Sequence, residues 1–381
     1  MFEWLFREEH QIFRKSVRRF LEKEIAPHVA EWERQRALPR SVFRRFGEMG
    51  FLGLAVPEPA GGAGADPVAE AIFYEELGRY GTGGVAGSVG YHAGCALPLV
   101  ASYGGTELKE RYLQPSLLGE QLGGLALSEP ESGSEPGKIR TVARRDGEGY
   151  RITGVKKFVT NGDRADWLCV SARIEGQDEV NLFLVDTRAA GVGPKRSLRT
   201  LGWRAAGLAE VEMHDVAVPA SHLLGGEGQG EAILGQFAPR EQLMLALFCI
   251  GLADAALEET IAYSKQRKQF NRTLNQFQVL QHKMVDMAVE REKARHLAYR
   301  AVYLLQQGQE AVTVISMAKA YAGEMIKQVT DAGVQIHGGM GYMMETPIQR
   351  YWRDARALSI AGGTTQSVRE KLAERLQLTG N

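Results

Sequence analysis

Three stretches of this chain carry residue types that could do chemistry. The first is Glu241, which follows Pro239-Arg240 and opens the apolar run Leu243 to Ile250. A carboxylate at the mouth of an apolar cavity can act as a general base, because desolvation raises its pKa toward a working range. Position alone supports a second reading. Proline at the first helical position puts Glu241 at the third, where glutamate caps a helix and the helix N-terminus lowers its pKa. The second stretch is a pair of glycine clusters, Gln335-Ile336-His337-Gly338-Gly339-Met340-Gly341 and Ala361-Gly362-Gly363-Thr364-Thr365-Gln366. Such clusters are turns between helices, or places where a bulky ligand approaches the backbone. His337 reads as a packed structural histidine. The third stretch is Ser128-Glu129-Pro130-Glu131-Ser132-Gly133-Ser134. It is a surface turn, or a loop whose hydroxyl and N–H groups hold the edge of a polar planar ligand.

Other chemistries lose their support. The eight histidines show no metal-ligand spacing, and no G-x-S-x-G elbow is present. Gly225 to Gly230 is not a dinucleotide fingerprint, and no strand–turn–helix unit surrounds it. Lys+Arg and Asp+Glu are 46 each, so no basic excess points to nucleic acid. Cys95, Cys169 and Cys249 are too few and too scattered for a disulfide framework, which fits a reducing cytoplasm. Met1 to Phe20 carries charges every few residues, unlike a signal peptide. The apolar run Gln242 to Ala253 falls short of the roughly 20 residues a bilayer requires, so no membrane insertion is expected.

The elements that must position these residues change character along the chain. Phe13, Val17, Phe20 and Leu21 repeat at helical spacing; a second helix starts after Pro39, and others cover 69–80 and 106–118. Residues 150–153, 157–160, 167–172, 181–186 and 211–218 read as strands punctuated by glycine and by Asn161-Gly162, the spacing of an antiparallel sandwich or barrel. Long helices follow over 239–267, 277–306 and 312–336, with a shorter one after Thr365, and these pack as an antiparallel bundle. The expected organisation is a helical domain over 1–124, a β-domain over 125–225 and a bundle over 226–381.

Taken together, these segments resemble the acyl-CoA dehydrogenase family over nearly the whole chain. Gly50-Phe51-Leu52-Gly53-Leu54 and Tyr74-Glu75-Glu76-Leu77-Gly78 are similar to its N-terminal helices. Leu127 to Glu135 resembles its flavin loop, and Phe158-Val159-Thr160-Asn161-Gly162 its flavin-facing strand. Arg267-Lys268-Gln269-Phe270 and Gln335 to Gly339 resemble the parts that reach FAD across a subunit boundary. The resemblance implies an α+β fold: an N-terminal helical domain, a central antiparallel β-domain and a C-terminal four-helix bundle, assembled as a homotetramer. It also implies that FAD is held by Leu125, Leu127, Ser128, Gly133, Ser134, Phe158 and Thr160. Arg267, Phe270, Gln278, Gln335, Gly338 and Gly339 would complete a neighbouring subunit's site, with Thr364 and Gln366 near the pyrophosphate.

The implied reaction is α,β-dehydrogenation of an acyl-CoA, with electrons passing to an electron-transfer flavoprotein. Many members carry the catalytic glutamate immediately before the Gly-Thr of the C-terminal loop, where this chain has Gly362. A branch resembling the long-chain and isovaleryl-CoA dehydrogenases instead places it ten residues before a Gly-Leu pair. Gly251-Leu252 follows Glu241 at that spacing. The joint pattern favours Glu241 as the base, with the Gly362 N–H available to the thioester oxygen. Gln242 stands where arginine usually follows the base; Ser134, Arg240 and Gln242 are the residues that the resemblance implies near the substrate, with Arg240 a substitute for the missing arginine near the CoA chain. Glu135 and Asn271 are further departures, the second compatible with a left-handed backbone. Tyr91, Cys95, Leu99 and Met244 would shape the cavity floor. A flavin oxidase or monooxygenase, and an inactive flavin- or acyl-CoA-binding paralogue, are the alternatives on this fold.

Overall fold

The structure, a computed structural model, describes residues 5–133, 138–193 and 195–378. Ser134 and Glu135 lie outside the described residues. The chain opens with α1 (Glu8–Phe20), α2 (Val29–Gln35), α3 (Arg40–Glu48) and the long α4 (Pro67–Gly90). Asp66 caps α4 by accepting from the Ala69 N–H, and Pro67 occupies its first turn, where no N–H partner is needed. A π-helical turn, Tyr91–Ala96, joins α4 to α5 (Leu97–Tyr103), and the short α6 (Thr106–Leu108) and α7 (Gln114–Leu117) follow.

Strands β1 (Gly123–Ala126), β2 (Val142–Asp146), β3 (Gly149–Val159), β4 (Trp167–Ile174), β5 (Val180–Asp186), β6 (Arg196–Ser197) and β7 (Ala209–Pro219) form one sheet. Most neighbours are antiparallel, as the turn spacing predicts. However, β4 also runs parallel to β1 and β2, so the sheet is mixed. The returning segments place β1 and β2 beside β4 without a hairpin, which alternation along single strands does not reveal. Residues of β3 and β4 facing the second core, such as Ile152, Leu168 and Val170, are buried.

The bundle comprises α8 (Gly230–Gln266), α9 (Gln278–Gln306), α10 (Val312–His337), α11 (Pro347–Leu358) and α12 (Thr365–Arg375), with a small hairpin of β8 (Lys268–Gln269) and β9 (Arg272–Thr273) after α8. Helix α4 packs along α8, joining the N-terminal helices to the bundle. Glycines set their closeness from both sides. A Cβ at Gly78 would lie 2.7 Å from the Phe248 backbone, and one at Gly251 would overlap the Glu75 carbonyl oxygen.

One expectation fails here. Helix α8 starts at Gly230, not at Pro239, so Glu241 lies well inside the helix and is not an N-terminal cap. Proline in a helix interior crowds the carbonyl four residues earlier. That residue is Gly235, where even an added Cβ would meet nothing, so the glycine does not itself relieve the crowding. The helix nonetheless passes through a residue that ordinarily marks its start.

Candidate active site

The carboxyl of Glu241 is the centre of the site. A Cβ built on Gly362 would come 3.4 Å from Glu241 Cδ and 3.5 Å from Cγ. The acid on α8 therefore fills the volume into which a side chain at position 362 would point. Gly362 itself has φ +66°, in the left-handed region, and Gly363 has φ +99°. Glycine lets the loop between α11 and α12 turn this closely against α8.

Three polar side chains surround the carboxyl. The Tyr91 hydroxyl donates to Oε1 at 2.5 Å. Lys319, on α10 and almost fully buried, donates from Nζ to the Leu358 carbonyl at 2.9 Å and the Gly363 carbonyl at 3.4 Å. Its charge also acts on Glu241. Cys95 lies one turn beyond Tyr91, within reach of the charges of Glu241 and Arg240. Burial raises the Glu241 carboxyl above its ordinary value, against the opposing pull of the Tyr91 hydrogen bond and Lys319. The helix N-terminus that would depress it is more than two turns away, beyond the reach of a terminal dipole. Burial and the adjacent carboxylate push the Tyr91 phenol well above its usual range, so it is a neutral donor. Burial likewise lowers Lys319. A partly accessible carboxylate with a raised pKa, walled by Met244, Leu245 and Cys95, can abstract a weakly acidic proton.

The residue before the base, Arg240, is held by Glu70 in an ion pair of 2.6 Å and remains about a third exposed. Burial raises Glu70, with Arg240 opposing. Gln242 is buried, and its Oε1 accepts from Ser316 on α10 at 3.1 Å.

The flavin-loop residues gather on the sheet. Lys157 N–H donates to the Ser128 carbonyl at 2.9 Å, which lays the loop beside β3. Leu125, Leu127 and Ser128 are half-buried and Thr160 is buried. A register shift between Lys156 and Val159 puts Phe158 at φ +59° and leaves its ring 60% exposed. Gly133 is exposed, with open space where a Cβ would stand. Beneath the loop, Lys156 is sealed from solvent and donates to Glu129 at 2.7 Å, Ser171 at 2.9 Å and the Leu127 carbonyl at 3.3 Å. Burial lowers Lys156 to about 8 despite Glu129. Glu129 in turn accepts from the N–H groups of Arg140 and Thr141, at 2.6 and 3.1 Å. Burial opposes its ionisation, but Lys156, Thr141 and Arg140 outweigh that and hold it below the usual range.

The π-helical turn links the two halves. Tyr91 reaches Glu241, while the next residue, His92, accepts from the Gly123 N–H of β1 at 3.0 Å and donates to the Ser116 carbonyl at 3.3 Å. Burial lowers His92 to about 4, so it is neutral and can hold both bonds. Thr364 caps α12 by accepting from Ser367 N–H, and Gln366 is exposed beside it.

A second group lies elsewhere. Tyr263 and His337 stack at 4.2 Å, which brings the ends of α8 and α10 together. Arg267, Phe270, Gln278, Gln335, Gly338 and Gly339 are exposed at this end. Phe270 is 86% exposed with φ +51°, and Asn271 has φ +59°. Open space faces Gly338 and Gly339. Arg267 is 26 residues beyond Glu241, about 39 Å at the helical rise of 1.5 Å. The residues that the resemblance implicates thus fall into two separated groups on one chain. The sequence reading missed Tyr91 as a partner of the base, and the roles of Lys319 and His92. Their partners are remote in the chain, and the residues carry no motif.

Comparison with known proteins matches these features. Families described as "Acyl-CoA dehydrogenase, N-terminal domain", "middle domain" and "C-terminal domain" match residues 7–120, 124–216 and 228–377. The mitochondrial long-chain specific acyl-CoA dehydrogenase of Sus scrofa is 35% identical, covering 98% of this chain and 87% of its own. A short-chain specific acyl-CoA dehydrogenase of Clostridium acetobutylicum is 35% identical, over 94% of this chain and 95% of its own. An acyl-CoA dehydrogenase structure from Geobacillus kaustophilus superposes with a TM-score of 0.93 at 36% identity, covering 97% of this chain and 98% of its own. With all three domains matched in order and relatives aligned end to end, the chain belongs to the FAD-dependent acyl-CoA dehydrogenase family.

Proposed function

We propose that this enzyme converts an acyl-CoA thioester to its trans-2-enoyl-CoA, with Glu241 taking the α-proton. The observation that carries the reading is the coincidence of two positions. The Glu241 carboxyl occupies the volume next to Gly362, where the loop position lacks its own acid. FAD, when bound, supplies the acceptor for the hydride that leaves the β-carbon. The residues present fit such a group: an exposed Phe158 ring, a loop of half-buried Leu125, Leu127 and Ser128, and Gly133 with room before it. Phe158, Thr160 and the loop would hold its ring, with Thr364 and Gln366 toward its phosphates; Ser134 would join the loop.

The α-proton of a thioester is weakly acidic, so the base must be desolvated and aimed. Met244, Leu245 and Cys95 exclude water on the side of α8 and the π-turn. The Gly362 N–H would donate to the thioester oxygen as charge builds there. Arg240, with a third of its side chain accessible, would approach the CoA chain. Electrons would pass to an electron-transfer flavoprotein. A second copy of the chain would bring Arg267, Phe270, Gln278, Gln335, Gly338 and Gly339 to this cofactor. The roughly 39 Å between Arg267 and Glu241 supports that arrangement, and a dimer of dimers would satisfy it.

Anaerobic titration of the purified flavoprotein with acyl-CoAs of varied length and branching tests the reading. Bleaching of the flavin by one class is expected. Glu241→Gln should keep the flavin and bleach about 10²–10⁴ times more slowly, the range general acid–base groups contribute. Bleaching at the wild-type rate would refute the assignment. Rapid reoxidation of the reduced enzyme by oxygen would favour an oxidase.

A further inference from the structure

We propose that Tyr91 is the positioning residue of the base, holding one carboxylate oxygen of Glu241 so that the other is free to meet the substrate proton. The inference rests on the proposed role of Glu241 and extends it to a residue 150 positions earlier in the chain.

Geometry carries it. The Tyr91 hydroxyl stands 2.5 Å from Glu241 Oε1, the short separation of an O–H donor on an ionised acceptor. Tyr91 is a neutral donor, so the bond stabilises the charged carboxylate over the protonated acid. Its backbone is fixed from the opposite side. The following residue, His92, is sealed in the fold and accepts from the Gly123 N–H of β1. The ring therefore extends from an anchored point. Gly90 and Gly94, on either side of Tyr91, leave room for the Met244 sulfur, 3.1 and 3.0 Å from where their Cβ atoms would be. This lets the π-turn lie close against α8 at the level of the base. Neither bond is needed to complete a helix or a sheet.

The groups that face Glu241 are few. The π-turn contributes Tyr91 and Cys95, and α10 contributes the Lys319 ammonium. On α8, Arg240 is neutralised by Glu70. Gly362, having no side chain, brings only backbone. Burial raises the thiol of Cys95, which stays neutral. Tyr91 thus supplies the direct hydrogen bond to the carboxylate, and Lys319 acts on it through space.

The sign follows. A donor to the carboxylate lowers its pKa, so deleting the donor raises it. The base works when ionised, so the acid limb of the rate profile moves to higher pH. A hydrogen bond to a charged group alters an ionisation equilibrium about ten- to hundredfold, a shift of about one to two pH units. Tyr91→Phe keeps the ring and removes the donor.

The test compares wild type and Tyr91→Phe holoenzymes across pH in anaerobic stopped-flow reduction by a saturating acyl-CoA. The expected result is an upward shift of the acid limb, a lower rate below it and an unchanged FAD content. Replacement of Tyr91 by 3-fluorotyrosine, a stronger donor, should move the limb down. An unmoved limb in both variants, with wild type bleaching normally, overturns the proposal while leaving the base assignment intact. Infrared difference spectra of resting holoenzyme, referenced to Glu241→Gln, read the same ionisation without turnover. They decide the matter even if no acyl-CoA tried is a substrate: coincident carboxyl titrations in wild type and Tyr91→Phe overturn it, and an upward shift in the variant supports it.

Discussion

If Glu241 and position 362 share one volume, the acid can be moved between them. In the double variant Glu241→Ala/Gly362→Glu, the new Cβ would start 3.4 Å from where the native carboxyl carbon lies. Two further carbon–carbon bonds of about 1.5 Å each carry the new carboxyl across most of that gap. Two costs arise. A non-glycine residue at φ +66° is destabilised by about 1–2 kcal/mol. Leu245 Cδ1, 2.5 Å from the new Cβ, must also swing aside, and as the end of a flexible side chain it can do so. If the whole of the backbone strain fell on the reactive arrangement, the double variant would be roughly five- to thirtyfold slower than wild type. Glu241→Ala alone should lose about 10²–10⁴. The double variant should therefore recover a measurable part of that loss in single-turnover anaerobic bleaching, at a cost of a few degrees in Tm. A double variant that retains FAD but is no faster than Glu241→Ala would refute the shared volume.

The remaining predictions concern the scaffold. Gly78→Ala places a methyl 2.7 Å from backbone atoms of Phe248, with no flexible group to yield. It should destabilise by about 1–3 kcal/mol in denaturant unfolding, and a neutral result would mean that α4 and α8 are not in backbone contact. Glu129→Gln leaves the sealed Lys156 ammonium without its counter-charge, which costs about 3–5 kcal/mol in stability. It should also loosen the Leu127 carbonyl, read as weaker FAD rebinding to apoprotein. Replacing both Glu129 and Lys156 by methionine should restore most of the stability, since no lone charge is then buried; equal losses in the single and double variants would count against a buried ion pair.

Much of this architecture was legible because hydrophobic periodicity is local. The helices at 277–306 and 312–336, and the strands at 167–172 and 181–186, are found within a few residues of their expected places. The parallel neighbours of β4 were not legible, since pairing between remote segments leaves no mark on either one. Pro239 misled because the preference of proline for a first turn is local, whereas α8 already runs from Gly230 and packs along α4 and α10, and tertiary context overrides propensity. Glu241 was singled out by the apolar run that it opens and by its spacing from Gly251. Gly251 is where α8 meets α4, so the ten-residue interval places Glu241 relative to a fixed crossing point. Tyr91 was expected only as part of the cavity floor, and its bond to Glu241 and the place of Lys319 were not foreseen, because a hydrogen bond across 150 residues, or a buried amine on an apolar helix, has no sequence signature.

The π-helical turn at Tyr91–Ala96 has a consequence for how this protein tolerates insertion and deletion. It carries one residue more per turn than an α-helix, and consecutive side chains serve opposite neighbours. Removing that extra residue would let the turn close as a regular α-helix, with α4 and α5 still in register on either side. What would be lost is the widened turn that sends Tyr91 toward α8 and His92 toward β1. A one-residue deletion here would spare the helices and remove the pin between bundle and sheet, a change visible in the site and not in helix content.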